Sequence, residues 1–270
     1  MGRIEDTFAR LERAGEKGLI PFITAGDPSL EVSEQLVYAM AEAGADIIEL
    51  GVPFSDPMAD GPTIQAASER ALAAGTTLQA VLDLVARVRQ RVDIPIVLMG
   101  YYNPVFSYGV DKFAAAAAQA GVDALLLVDL PAEEREEVLC HLRPLDIALV
   151  TLLAPTTPPE RCRRLLADAR GFVYYVSMTG VTGSTRVDGA AIAAQVEEVR
   201  RISPVPIAVG FGITTAADAG AIAAFADAVV VGSALVNIIN QHAGSPSLLE
   251  EVRGFIRELK QGIHHASDPA

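Results

Sequence analysis

The chain has no tryptophan, two cysteines, four histidines and only three lysines among its 270 residues, and each shortage removes a kind of chemistry. Cys140 and Cys162 belong to no C-x-x-C pair, so the sequence offers neither a disulfide framework nor a thiolate metal site. Basic residues are outnumbered, 21 against 34 acidic, for a net charge of −13. That balance argues against a basic surface for a polyanion such as nucleic acid. A small anion is still open to it, because backbone N–H groups bind phosphate without any cationic side chain. No apolar run approaches the ~20 residues of a membrane span, and the start, Met1 to Asp6, carries charge where a signal peptide needs an apolar core. The chain therefore reads as cytoplasmic.

What is present is apolar and regularly punctuated. Hydrophobic residues make up 51% and charged residues 20%. Eight short runs rich in Ile, Val, Leu and Ala recur: Leu19–Thr24, Asp46–Leu50, Ile94–Gly100, Ala124–Val128, Ile147–Leu152, Phe172–Ser177, Pro206–Val209 and Ala228–Val231. Between them apolar residues fall at helical spacing, as in Leu36, Val37, Met40 and Ala41 or Leu78, Val81, Leu82, Val85 and Val88, with Ser29 and Thr77 as N-cap candidates. Strands that are continuously apolar and alternate with helices imply a parallel sheet covered on its outer face. Eight such units predict closure into a (β/α)8 barrel of the TIM type, one domain over residues 1–270. The gap after the second strand holds two helices. Residues 1–15, with Ile4, Phe8 and Leu11 on one face, predict an added helix capping the barrel bottom, and residues 263–270 a frayed tail. A weak internal repeat links Ile94–Val97 and Gly121–Leu125 to Val205–Val209 and Ala226–Val229, from gene repetition or from shared local geometry.

Barrel sites lie at the C-terminal ends of the strands. Three of the last loops there are glycine-rich: Gly180-Val181-Thr182-Gly183-Ser184, Gly210-Phe211-Gly212-Ile213 and Gly232-Ser233-Ala234, the last opening a short helix. Close backbone approach and a helix N-terminus together predict a phosphate site. Glu49 stands inside an apolar strand, where a bare carboxylate costs several kcal/mol, so it reads as an acid/base group whose affinity for protons is raised by its surroundings. Asp56 and Asp60 share the following loop, one of them acting as a turn former, and Asp129 is a third rim carboxylate. No lysine or histidine ends a strand, which argues against an imine enzyme and against a His-ligated metal, and the G-x-G-x-x-G dinucleotide pattern is missing. The residues point to carboxylate acid/base chemistry, with no metal, beside a phosphate cradle.

Pro21-Phe22-Ile23-Thr24-Ala25-Gly26-Asp27-Pro28, Glu49 through Pro57 with Asp60-Gly61-Pro62, Met99 through Pro104, Asp129-Leu130-Pro131, Gly180-Val181-Thr182-Gly183 and Gly210-Phe211-Gly212-Ile213 together resemble the tryptophan synthase alpha chain family. The resemblance implies a lyase of tryptophan biosynthesis that cleaves indole-3-glycerol phosphate to indole and glyceraldehyde 3-phosphate. By the same matching Glu49 and Asp60 would be catalytic, and Phe22, Ile64, Leu126, Tyr174, Phe211 and Val230 would line the substrate slot. Thr182 would contact the catalytic aspartate from a lid over 180–189, and Gly183, Gly212, Gly232 and Ser233 would hold phosphate. It further implies no cofactor on this chain, with pyridoxal phosphate on a beta chain in an α2β2 tetramer under allosteric coupling. Apolar rim residues Pro57, Met58, Tyr102, Pro104 and Phe106 suit such an interface. A stand-alone lyase releasing free indole and a non-catalytic phosphate-binding activator are the competing readings.

Overall fold

In the computed structural model, which describes residues 2–176, 189–210 and 212–267, the apolar runs become parallel strands: β1 (Gly18–Thr24), β2 (Ile48–Gly51), β3 (Ile96–Gly100), β4 (Ala124–Leu127), β5 (Ala148–Leu149), β6 (Thr151–Leu153), β7 (Val173–Val176), β8 (Ile207–Gly210) and β9 (Ala228–Val231). Their order, β5-β4-β3-β2-β1-β9-β8-β7-β6, is that of a nearly closed barrel. Both ends of the order are consecutive in the chain. The single run expected over Ile147–Leu152 is broken at Val150, with β5 pairing to β4 and β6 to β7. One residue thus separates the two halves of the fifth barrel strand, a break that an unbroken apolar sequence does not announce.

Helices cover the outside: α1 (Arg3–Ala14), α2 (Leu30–Glu42), α3 (Pro62–Ala73), α4 (Leu78–Val88), α5 (Tyr102–Tyr108), α6 (Val110–Ala120), α7 (Glu136–Leu142), α8 (Pro159–Leu166), α9 (Gly189–Arg200), α10 (Ala216–Ala223), α11 (Ser233–Gln241) and α12 (Leu248–Ser267). Ser29 and Thr77 cap α2 and α4, accepting from the Val32 and Ala80 amides. α3 and α4 are the two helices expected after the second strand. α12 carries the chain in helical form through Ser267 with Ile263 fully buried, so the expected fraying from 263 is not seen as far as Ser267.

Alternation along the strands divides the core in two. Leu19 and Ile23 of β1, Ile48 and Leu50 of β2 and Val229 and Val231 of β9 face the helices. Ile20, Val97, Leu126, Ala208 and Val230 face the barrel interior. At the bottom the inward positions are small, Ala124 paired with Ala148 and Ala208 with Ala228. That space is filled from below by Ile4, Phe8 and Leu11 of α1, with Phe8 meeting Phe172 at 6.0 Å between ring centres.

Three aspartates lock the same end. The Asp46 amide donates to the Leu19 carbonyl at 2.9 Å while its carboxylate accepts the Leu19 amide at 2.9 Å. Asp123 makes the same two-way contact with Ile96, at 3.0 and 2.8 Å, and Asp227 with Ile207, at 2.9 Å each. Each carboxylate then meets two cations: Arg10 and Lys260 on Asp46, Arg89 and Arg3 on Asp123, Arg200 and Lys17 on Asp227. The Asp123 and Arg89 side chains are only 8% and 10% exposed. Removing one partner leaves the other charge stranded, so Asp123→Ala should cost about 3–5 kcal/mol in urea unfolding. Glu136→Ala, which breaks an exposed pair with Arg143, should cost less than about 1 kcal/mol.

Candidate active site

The opposite end of the barrel holds the carboxylates. β2 presents Ile48 and Leu50 to the helices, which by alternation turns Glu49 inward between Phe22 of β1 and Val97 of β3. Glu49 is 1% exposed, and among the described residues neither of its carboxylate oxygens has a hydrogen-bond partner. Burial first, and then the negative charge of Asp60, pushes its carboxyl up to about 8, so near neutral pH it holds a proton.

Asp60 is half-buried in the loop between β2 and α3, and desolvation raises it to about 6 while a hydrogen bond from the Tyr101 hydroxyl works in the opposite direction. The loop is pinned on two sides. Gln65 Nε2 of α3 donates to the Asp60 carbonyl at 2.8 Å, and the Ala59 amide donates to the Tyr101 hydroxyl oxygen at 2.9 Å. Asp56, by contrast, is exposed and accepts from Ser55 Oγ at 2.6 Å. The structure thereby separates the two loop carboxylates that the sequence left equivalent. Asp129 is exposed and accepts the Tyr102 amide at 2.8 Å, capping the start of α5.

The two tyrosines of β7 point to opposite faces. Tyr175 faces the helices and its hydroxyl donates to Gln195 Oε1 at 2.7 Å. Tyr174 joins the interior cluster with Leu126 and Val230, and burial together with the charges of Glu49 and Asp60 pushes its hydroxyl well up, keeping it a donor. It fits because its β8 neighbour is small. A Cβ at Gly210 would stand 2.6 Å from the Tyr174 hydroxyl oxygen.

The remaining expected site residues are brought together unevenly. Phe22 and Ile64 share a cluster with Ala67 and Val236, next to Met99. Gly232, immediately before α11, lies against them: a Cβ there would be 3.7 Å from Phe22 and 3.9 Å from Ile64. Ser233 is the first residue of α11, whose leading amides have no partner within the helix, so the anion end of that helix abuts the apolar slot. Gly212 is exposed with φ +31°. Phe211, Thr182 and Gly183, with most of the expected lid, lie outside the described residues.

Four contributors escaped the reading of the sequence. Tyr101, Thr24, Ser68 and Met99 line one cleft with Phe22, Asp60 and Ile64, and the Thr24 hydroxyl is buried without a partner among the described residues. Thr24 was within reach, since it shares strand parity with Phe22; nothing in the sequence sets Tyr101 apart from its neighbour Tyr102.

A family model described as tryptophan synthase alpha chain matches residues 8–264. The tryptophan synthase alpha chain of Citrifermentans bemidjiense is 54% identical over 263 residues, covering 97% of this chain and 98% of that one. That of Burkholderia pseudomallei strain 1106a is 51% identical over 271 residues, covering all of both. Among solved structures, tryptophan synthase subunit alpha from Legionella pneumophila superposes with a TM-score of 0.92 at 39% identity, covering 98% of this chain and 99% of that one. A barrel with a buried carboxyl at its mouth and a sequence matched from end to end place the chain in one family: it belongs to the tryptophan synthase alpha chains.

Proposed function

We propose that this chain cleaves indole-3-glycerol phosphate into indole and glyceraldehyde 3-phosphate by carboxylate acid/base catalysis, without a metal or cofactor of its own. The observation that carries the reading is Glu49, a buried carboxyl facing the interior of the mouth, with neither oxygen hydrogen-bonded among the described residues. A buried carboxyl with no structural partner is poised to exchange protons with a ligand.

In this reading the Glu49 carboxyl gives its proton to the ring carbon that bears the glycerol chain. The positive charge that develops on the ring N–H is held by the Asp60 carboxylate. Glu49, now ionised, takes the proton of the hydroxyl on the adjacent chain carbon; the carbon–carbon bond breaks, its electrons return to the ring, and indole and an aldehyde result. Glu49 ends protonated, ready for the next cycle. Phe22, Ile64, Leu126, Val230 and Phe211 would hold the ring, with Tyr174 as hydroxyl donor beside Glu49. Gly183, Gly212, Gly232 and Ser233 would hold the phosphate through backbone amides and the α11 N-terminus, and Thr182 would reach Asp60 from the lid.

A beta chain carrying pyridoxal phosphate is the proposed recipient of indole, in an α2β2 tetramer in the cytoplasm. What supports a partner is Met58, 85% exposed, and Phe106, 64% exposed, on neighbouring rim segments, where large apolar side chains gain nothing from water. Their place at the rim favours the two-chain reading over a stand-alone lyase.

Glu49→Gln should lower kcat for cleavage about 10³-fold and Asp60→Asn about 10²-fold, with binding of substrate analogue and partner retained. Near-normal turnover in either would overturn the assignment. Catalysis needs Asp60 ionised and Glu49 protonated, so kcat/KM should fall below about pH 6, where Asp60 takes up its proton, and above about pH 8, where Glu49 loses its own. A profile flat from pH 5 to 9 contradicts it. Gly210→Ala, by driving the Tyr174 ring aside, should cost about 10²-fold in kcat with an unchanged circular dichroism spectrum.

A further inference from the structure

The slot beside Phe22 and Ile64 has one wall in the sheet and the other in a helix. Phe22 belongs to β1 and is backed by β2, where a Cβ at Gly51 would stand 2.6 Å from its ring. That wall is fixed. Ile64 belongs to α3, the helix that also sets Ala67 against Phe22. The width of the slot therefore follows from how far α3 stands from β1.

α3 is anchored unevenly. At its start Gly61 supplies no side-chain cap, and Gln65 Nε2 donates to the Pro57 and Asp60 carbonyls at 3.4 and 2.8 Å, both in the loop that leads into the same helix. Its far end is tied to the turn that follows β1. Arg70 Nε and Nη2 donate to the two carboxylate oxygens of Asp27 at 2.8 and 2.7 Å, and Asp27 is 3% exposed. Among the described residues, these are the side-chain hydrogen bonds that join α3 to another part of the barrel. A two-point fork fixes angle as well as distance. The same turn closes on the chain just past α3: Gly26 has φ +88°, and a Cβ there would stand 2.0 Å from the Thr76 hydroxyl oxygen. The Gly26 amide in turn donates to Ser33 Oγ of α2 at 3.0 Å, so the turn that Arg70 grips is itself held.

We propose that Arg70 is a positioning residue for substrate recognition, its fork onto Asp27 holding α3 at the distance from β1 that admits an unsubstituted indole ring and turns away a larger one. The inference rests on the reading of Phe22 and Ile64 as walls of the ring slot. It goes beyond that reading by placing the control of ring size on an ion pair that lies outside the cleft.

By microscopic reversibility the same site joins an indole to glyceraldehyde 3-phosphate, which lets ring size be varied with simple probes. The test compares indole with methylindoles carrying the methyl at each carbon of the six-membered ring, in the full chain. One added methyl in a closed pocket is worth roughly 10- to 200-fold in kcat/KM, and wild type should reject its least favoured methylindole on that scale. Arg70→Gln should compress the ratio to within about threefold and raise KM for indole about tenfold, the scale of one charge-assisted hydrogen bond, with kcat changed little. Because that variant strands the Asp27 carboxylate, Asp27→Asn combined with Arg70→Gln removes both charges and should relax the ratio equally. Asp123→Ala, which weakens the barrel bottom, is the control for lost stability and should leave the ratio in place. Ile64→Ala widens the slot directly and should relax it. A ratio unmoved in both Arg70 variants, with Ile64→Ala relaxing it, overturns the proposal, as does a ratio that Asp123→Ala relaxes as far as Arg70→Gln does. A ratio unmoved in Ile64→Ala as well sinks the reading of the slot itself, and the proposal with it.

Discussion

The two-way contact between an aspartate and the first residues of the preceding strand is what the rest of the molecule leans on. At Asp46, Asp123 and Asp227 one residue satisfies both backbone groups of its neighbour, and its carboxylate gathers two cations at the barrel bottom. Each contact fixes strand register, where a slip by one residue would turn every inward side chain outward. For Glu49 that parity decides everything: one position either way, and the carboxyl would face the helix layer.

A stable bottom permits an unfavourable top. Among the described residues Glu49 is buried with no compensating partner and Thr24 carries an unsatisfied hydroxyl, and Gly210 sacrifices packing to admit Tyr174. Each is a local cost, and together they make a mouth that lowers its energy by taking in a polar ligand. Asp60 and Glu49 are set apart by the same means. The deeper carboxyl is raised further, to about 8 against about 6, which leaves a proton donor and an anion side by side.

Much of this was readable in the residues because a closed parallel barrel buries both faces of its strands and so writes them as continuous apolar runs. Glu49 stood out against that background because it is charged inside such a run, whereas Asp46 only opens one. The break at Val150 left no mark, since an apolar run reads the same whether or not its ladder is interrupted. Asp56 and Asp60 were equivalent by composition, and only burial and the Tyr101 hydroxyl separate them. Tyr174 and Tyr175 differ by strand parity, whereas Tyr101 gains its place from a loop folded over it from another strand, a contact that no local pattern encodes. The echo between residues 121–125 and 226–229 corresponds to the same aspartate geometry, and its third occurrence at Asp46 shows that the geometry recurs outside the pair of segments that suggested it.

The clamp on Asp46 carries a consequence for how the protein is made. Its two cations come from opposite ends of the chain, Arg10 on α1 and Lys260 on α12. The first strands and their aspartate leave a ribosome well ahead of the second cation, which lies 214 residues further along the chain. Until then the nascent chain holds this joint with half its charges matched, so the barrel becomes fully fastened only once α12 has been made and packed against the first two strands.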